Sequence, residues 1–403
     1  MIALLLALTF KPWQISNPPL SQSVGQVSRK RIEYLPNGSV LFLENVPDSR
    51  NLVVHLDSSA RGEQNATWTG ARHLLEHLSV LGSSGRLDEN LELNGAFLTA
   101  STKRDGLDIA IAARPDGLKL CLDALREITR PAVRANKPWW TEADLNREKK
   151  IIAQEIALEN SPERLSDAAW TLAFGKAGAS PLGQLSELKK VTIQEEIDLY
   201  RTSFQGNHIC LDIEGPIDLR LARLAGEKFL SEFKNSSQRS KWVLRKPNLT
   251  QGKRITADAI GSARAVIAKG IFEPDCVAKI AAGLAFASTI HGGFFIYTPS
   301  VLNGIMTIGS RNPGEIEKSV DSYTTNELPG LYSLGKELAI RFIHFESDPA
   351  RPSAYWRSYL LAQNPAARPK VLLNLIQTMS VSDFVRAAKC YQASEAIEVQ
   401  GNQ

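Results

Sequence analysis

The sequence predicts an α+β fold, and three observations point there. Residues 31–35 and 39–43 are β-type runs around Pro36-Asn37-Gly38, and Asn-Gly accepts the positive φ angles of a tight hairpin turn. Strand-like and helix-like segments are then mixed along the chain, an order expected of antiparallel sheets rather than βαβ units. The same order recurs, more weakly, towards the C-terminus.

Taken in order, residues 52–56 form a third apolar strand, and 70–81 follow with helical periodicity. Strand patterns come next at 95–102 and 107–113, then helices at 118–129 and 142–160. Thr141, three residues before Asp144, fits the N-terminal cap of the second helix. A strand at 209–214 ends at Gly215-Pro216 and leads into a helix at 219–233. The polar, basic stretch with Ser236-Ser237 and Pro247 marks a linker over 237–253. Beyond it, a strand at 263–269, a helix at 276–288 and a strand at 304–309 make up a second mixed region.

The length of 403 residues suits two or three domains. A 43% hydrophobic and 22% charged composition suffices for a sizeable core. The net charge of +4 is small and its basic residues are dispersed, so neither nucleic acid nor an anionic membrane is expected as a partner. Cys121, Cys210, Cys276 and Cys390 lie far apart, in no zinc-ribbon or disulfide spacing, and are expected as small core residues. Met1 to Phe10 are almost wholly apolar, with a Pro- and Ser-containing stretch to about residue 28. A basic leader region and a small-x-small cleavage site are both missing; residues 1–28 read either as an export signal, giving a periplasmic or secreted protein, or as a frayed terminus or an anchor fragment, the protein then being cytoplasmic. That run is far below the ~20 residues of a membrane span, and no later segment looks transmembrane.

The chemistry is concentrated in His73-Leu74-Leu75-Glu76-His77. Positions i and i+4 of a helix lie on one face, so both imidazoles can point at one ion, with Glu76 beside them. This is the inverted form of His-Glu-x-x-His. A catalytic zinc site takes three protein ligands and keeps its fourth position open. Leu74, Leu75 and Leu78 show that the helix is packed, so the motif faces a cleft rather than open solvent. The third ligand is sought among Glu148, Glu155 and Glu159, nearly one stripe of the 142–160 helix. Glu148 and Glu155 stand about 10 Å apart at helical rise, so both cannot ligate one ion. Spacing alone leaves open which of them does.

The segment Gly70-Ala71-Arg72-His73-Leu-Leu-Glu76-His77 resembles the metal-binding core of the insulinase-like (pitrilysin-like) zinc metallopeptidases. Their third ligand is a glutamate further along, preceded seven positions earlier by another acidic residue. Arg147-Glu148-Lys-Lys-Ile-Ile-Ala-Gln-Glu155 matches that pattern. The resemblance implies one Zn2+ per chain held by His73, His77 and Glu155, with Glu148 orienting the site and Glu76 as the unbound proton carrier. It implies a processing-peptidase-like clamshell of two related sheet-plus-helix repeats, the second shortened: a metal-binding catalytic domain over 29–236 and a degenerate one without metal over 254–403. Further similarities are Leu35-Pro36-Asn37-Gly38, Arg61-Gly62-Glu63, Thr99 to Asp105, and Phe204-Gln-Gly-Asn207 followed by Gly215. They make the match specific over about 31–235.

What the resemblance implies is hydrolysis of unfolded peptides by zinc-activated water. The peptide would add as a strand beside Thr99, Ala100 and Ser101, although the family's Asn-Ala pair is here Thr99-Ala100. Family members also place an Arg–Tyr pair in the second repeat to stabilise the tetrahedral intermediate. Tyr297 is the candidate tyrosine, but no convincing arginine precedes it, and a core or hairpin tyrosine is the competing reading. The alternative function is therefore a weakly active or inactive peptide-binding subunit whose partner chain supplies that pair. A homodimer, or a heterodimer with a related chain, is the corresponding assembly. Trp139-Trp140 is expected to cover the start of the 142–160 helix, and His55, His208 and His344 to be packed or surface residues.

Overall fold

The computed structural model describes residues 29–59, 69–83, 85–133, 138–234, 247, 253–268, 270, 273–299, 303–312, 314–346, 357, 369–392 and 396–402. The candidate leader over 1–28, the turn at Arg61-Gly62-Glu63 and nearly all of the candidate linker lie outside them.

The hairpin forms where Asn-Gly demands it. β1 (Arg29–Tyr34) and β2 (Val40–Asn45) pair antiparallel with Tyr34 opposite Val40, and Gly38 takes φ 85°. With β3 (Leu52–Ser59), β4 (Phe97–Lys103), β5 (Gly106–Ala113) and β6 (Ile209–Gly215) they make a six-stranded sheet in the order β1-β2-β6-β3-β5-β4. Its one parallel pair is β2 with β6. Around it come α1 (Ala71–Val80), α2 (Leu87–Leu93), α3 (Leu118–Val133), α4 (Glu142–Leu158), α5 (Ser161–Phe174), α6 (Leu185–Leu188), α7 (Ile193–Ser203) and α8 (Leu219–Leu230). Alternation sends Leu41, Leu43, Val54, Leu56, Ile109 and Leu211 to one face of the sheet. There they bury against Leu74, Leu75 and Leu78 of α1 and Leu125 and Ile128 of α3.

A five-stranded sheet follows, built from β7 (Arg254–Ala257), β8 (Ser262–Ala268), β9 (Gly293–Pro299), β10 (Gly304–Ser310) and β11 (Ile397–Gly401) in the order β7-β11-β8-β10-β9. Its helices are α9 (Pro274–Thr289), α10 (Tyr332–Glu346), α11 (Pro369–Thr378) and α12 (Val381–Lys389). Set β7, β11, β8, β10 and β9 on β2, β6, β3, β5 and β4, and every pairing agrees in direction, including the parallel one. The chain is thus two copies of one sheet-plus-helix plan, and the second sheet has no counterpart of β1 among the described residues. In this correspondence α9 stands where α1 stands, yet its sequence holds neither His nor Glu.

The helix read over 142–160 is one helix, and a second one, absent from the sequence reading, follows it directly. α4 stops at Leu158, and Asn160 caps α5 by accepting a hydrogen bond from the Glu163 amide at 3.0 Å, with Pro162 in the first turn. The break matters because α5 leaves the first half. Leu165, Ala169, Trp170 and Ala173 bury against Ala257, Ala265, Ile305, Ile397 and Val399 of the second sheet. In return Arg357, fully buried, donates from Nε to Asp212 of β6 at 2.6 Å, with Asp57 and Asp108 both 3.7 Å away. Val40, Phe42 and Cys210 of the first sheet also share the core built around α9. Each half therefore closes the far face of the other's sheet.

Of the four cysteines, Cys121, Cys210 and Cys276 are buried and Cys390 is half-buried, and none is in a disulfide. Among the described residues no helix is long and apolar enough to cross a membrane. α2, α5, α6, α7, β7, β9, α10, α11, α12 and β11 have no counterpart in the sequence reading; α7 begins with the capping pair Thr192 and Glu195.

Glu196 of α7 is fully buried and neither carboxylate oxygen has a hydrogen-bond partner. Burial, then the nearby Glu195 charge, pushes its pKa well above the ordinary 4.5, against the pull of Lys149. The folded chain therefore keeps a proton that the unfolded chain releases above pH 4.5, so this group lowers stability progressively as pH rises past that point. Glu196→Gln should raise the denaturation midpoint at pH 8, with the gain closing towards pH 4; a pH-independent difference would contradict this account.

Candidate active site

α1 starts at Gly70, whose φ of 85° and ψ of −10° lie in the left-handed region. A side chain there would meet the Leu182 carbonyl oxygen at 2.9 Å, and one on Gly183 would meet Gly70 Cα at 2.4 Å. The two glycines let the 182–184 loop lie directly against the helix start. Polar bonds close the contact: the Thr69 amide donates to Glu187 at 2.7 Å, and the Gln184 amide to Thr69 Oγ1 at 3.1 Å.

With its leucine face buried in the first sheet, α1 turns His73, Glu76 and His77 towards α4. The Thr141–Asp144 capping box read from the sequence is present at the start of α4. The tryptophans just ahead of it belong to the first core, Trp140 edge-on to Tyr200 at 5.0 Å between centroids. Two turns of α4 then flank the His77 ring. Glu148 Oε2 lies 3.2 Å from Nδ1, while Glu155 Oε2 lies 3.6 Å from Nε2 and 3.3 Å from His73 Nε2. The two Nε2 atoms are 3.2 Å apart.

These separations are informative. Zinc bonds of about 2.0–2.2 Å arranged tetrahedrally place donor atoms about 3.3–3.6 Å from one another. Two imidazole nitrogens and a carboxylate oxygen at 3.2, 3.3 and 3.6 Å thus form a triangle that fits one face of such a tetrahedron. Glu76 also offers an oxygen within 4.8 Å of the histidine nitrogens. Glu155 is nearer and Glu76 is engaged elsewhere, accepting a hydrogen bond from Thr102 Oγ1. Glu148 accepts from Arg147 Nε at 2.8 Å as well as facing His77 Nδ1, so both its oxygens are held.

The charges follow from this packing. Burial, then the neighbouring His77 charge, brings the His73 pKa down to about 4. His73 Nδ1 has no close hydrogen bond, yet the Leu182 carbonyl lies near enough to favour the charged form slightly. Burial also disfavours charge on His77, but Glu148 and Glu155 outweigh it and raise the ring to about 9. Burial opposes ionisation of those two carboxyls, and their bonds to His77 still hold both below the usual range. Burial raises Glu76 to about 7, against the Thr102 hydrogen bond. A carboxyl with that value exchanges a proton at neutral pH, as a general acid–base group must.

Thr99, Ala100 and Ser101 lie on β4, opposite Ala110, Ile109 and Asp108 of β5. The other edge of β4 has no strand partner among the described residues. Tyr297 sits on β9 in the second half, its hydroxyl 3.3 Å from Cys276 Sγ on α9. His55 is buried with Nδ1 3.3 Å from both Asp108 oxygens, His208 is buried and His344 exposed. Three contributors had no signal in the sequence that separated them from their neighbours. Thr102 reaches Glu76, the Gly70–Gly183 contact seats α1, and Arg72 donates to the Arg104 carbonyl at 3.0 Å, holding the end of β4 to α1.

Residues 51–176 match the family model described as Insulinase (Peptidase family M16). The likeness is to the insulinase-like peptidases. The chain is 24% identical over 209 residues to the mitochondrial-processing peptidase subunit beta of Saccharomyces cerevisiae, covering 49% of this chain and 44% of that protein. For the Rattus norvegicus subunit the figures are 26% over 205 residues, 49% and 40%. The match thus spans less than half the length of these curated relatives. Among solved structures, a protease from Helicobacter pylori superposes with a TM-score of 0.74 at 15% identity, over 94% of this chain and all of that one. A peptidase M16 inactive domain from Pseudomonas fluorescens gives 0.70 at 12% identity, over 93% and 98%. Pitrilysin gives 0.65 at 14%, over 93% of this chain and 45% of its own. Both halves therefore carry the insulinase-like fold, shared by peptidases and by at least one domain described as inactive.

Gly183→Ala tests the seating of α1. The added methyl has no room against Gly70, and φ of 85° is strained for alanine. The expected loss is roughly 2–4 kcal/mol of unfolding free energy by chemical denaturation; a loss below about 0.5 kcal/mol would show that the loop yields freely.

Proposed function

We propose that the chain is a zinc-dependent peptidase acting on unfolded or extended peptides. The observation that carries this reading is the donor triangle of His73, His77 and Glu155 at tetrahedral-edge separations, with Glu76 beside it but tied to Thr102. Imidazole and carboxylate are ordinary zinc donors, and three of them leave one position open. When bound there, zinc would supply Lewis-acid polarisation of the scissile carbonyl and bring the pKa of water from 15.7 to about 7.

The chain's own residues account for the rest. Glu148 fixes the His77 ring by facing Nδ1, which leaves Nε2 for the ion. Glu76 takes the proton of the attacking water and returns it to the leaving amine. An extended peptide pairs through main-chain hydrogen bonds with the edge of β4 that has no strand partner among the described residues, so little sequence selectivity is expected.

A second reading keeps the zinc site but makes the chain a peptide-binding subunit that needs a related partner. It is favoured by two observations: Tyr297 contacts Cys276 in the second half, and the curated relatives are named as subunits.

The purified chain should bind one zinc and cleave a quenched extended peptide, with chelator abolishing turnover. Glu76→Gln should keep its zinc while kcat falls by about 10²–10⁴-fold. Glu148→Gln should weaken zinc affinity about 10–100-fold. A Glu76→Gln chain that cleaves at the normal rate would remove the peptidase mechanism proposed here. Zinc binding without cleavage, with activity restored by a related chain, would favour the second reading.

A further inference from the structure

Glu76 leaves α1 on a flexible side chain, and its reach to the donor triangle depends on what restrains that chain. A glutamate side chain has several rotamers open to it, so an unrestrained carboxylate would spend little time in one orientation. Among the described residues Glu76 has one hydrogen-bond partner, the Thr102 hydroxyl on β4. That threonine lies on the substrate-side edge strand, on the face that Leu98 and Ala100 turn towards the first core. The next residue along anchors the strand on its opposite face, Lys103 Nζ lying 3.5 Å from Asp57. Arg72, beside His73 on α1, then holds the Arg104 carbonyl at 3.0 Å.

We propose that Thr102 is a positioning residue: its hydroxyl holds Glu76 Oε2 so that the other carboxylate oxygen is left to face the His73–His77–Glu155 triangle. This inference rests on the peptidase reading above and deepens it. A hydroxyl suits the task because it both donates and accepts. Towards the Glu76 carboxylate it donates. Thr102 Oγ1 also lies 3.5 Å from the Arg72 carbonyl, which keeps it at the start of α1. The contact also joins the strand expected to pair with the peptide to the group expected to move its proton.

The test compares Thr102→Val and Thr102→Ser in the full chain, each with zinc content measured, for kcat and KM on a quenched extended peptide and by crystal structure. Valine keeps the β-branched shape that suits a strand and removes only the hydroxyl; Thr102→Ala removes the same oxygen should the valine variant not fold. Loss of the hydroxyl should lower kcat about 10–100-fold, the rate equivalent of one hydrogen bond to a charged group, while zinc content and KM stay put. In that variant Glu76 should leave its position in the crystal. Thr102→Ser should retain kcat within about threefold, because the hydrogen bond is kept. Wild-type kcat in the valine variant, a serine variant as impaired as valine, or an unmoved Glu76 would each overturn the proposal. The crystallographic readout needs no turnover. An inactive wild-type chain would therefore fail the peptidase reading, while the Glu76 position still decides the role of Thr102.

Discussion

Everything at the site depends on how α1 is wedged between the first sheet and α4. Leu74, Leu75 and Leu78 are fully buried, and at about 25 cal/mol per Å2 such a face gives the helix only one favourable rotation. That rotation directs His73 and His77 at α4 and leaves Glu76 against β4. The wedge tightens at Gly70 and Gly183, where two backbones approach more closely than any side chain allows. A helix turned by one residue would bury an imidazole among leucines and expose a leucine to the cleft.

α4 answers with a single stripe. Glu148 and Glu155, seven residues apart, approach His77 from its two nitrogens, so one ring is gripped from both sides by one helix. The same geometry explains the electrostatics: His77 sits between two carboxylates and His73 is buried beside it, which drives the two rings in opposite directions. A pair of like residues one turn apart thus acquires unlike chemistry from its surroundings.

The two halves share a strand plan but not their chemistry. α9 occupies the place of α1 with an alanine-rich apolar sequence, so the second copy buries a helix where the first presents His73, Glu76 and His77. The halves are also mutually dependent. α5 covers the second sheet, and Arg357 closes over carboxylates on the far face of the first. Such a buried cation is tolerated because Asp57, Asp108 and Asp212 surround it, and its removal would strand their charge.

Read alone, the sequence determined the features whose cause is local. The Asn37-Gly38 hairpin, the Thr141–Asp144 cap and the shared face of His73 and His77 follow from backbone sterics and helical period, which neighbours in the chain dictate. The choice between Glu148 and Glu155 was different. Both lie on one stripe, and spacing could not rank them; only the resemblance pointed to Glu155, and only the approach of α4 to α1 sets each carboxylate at its distance. The helix that Asn160 caps, just past the end of the one read from the sequence, has its consequence far along the chain, in the second sheet. Thr102 and the Gly70–Gly183 contact likewise gain meaning only when segments far apart in sequence meet, because a hydroxyl or a glycine carries no record in the chain of the partner it will face.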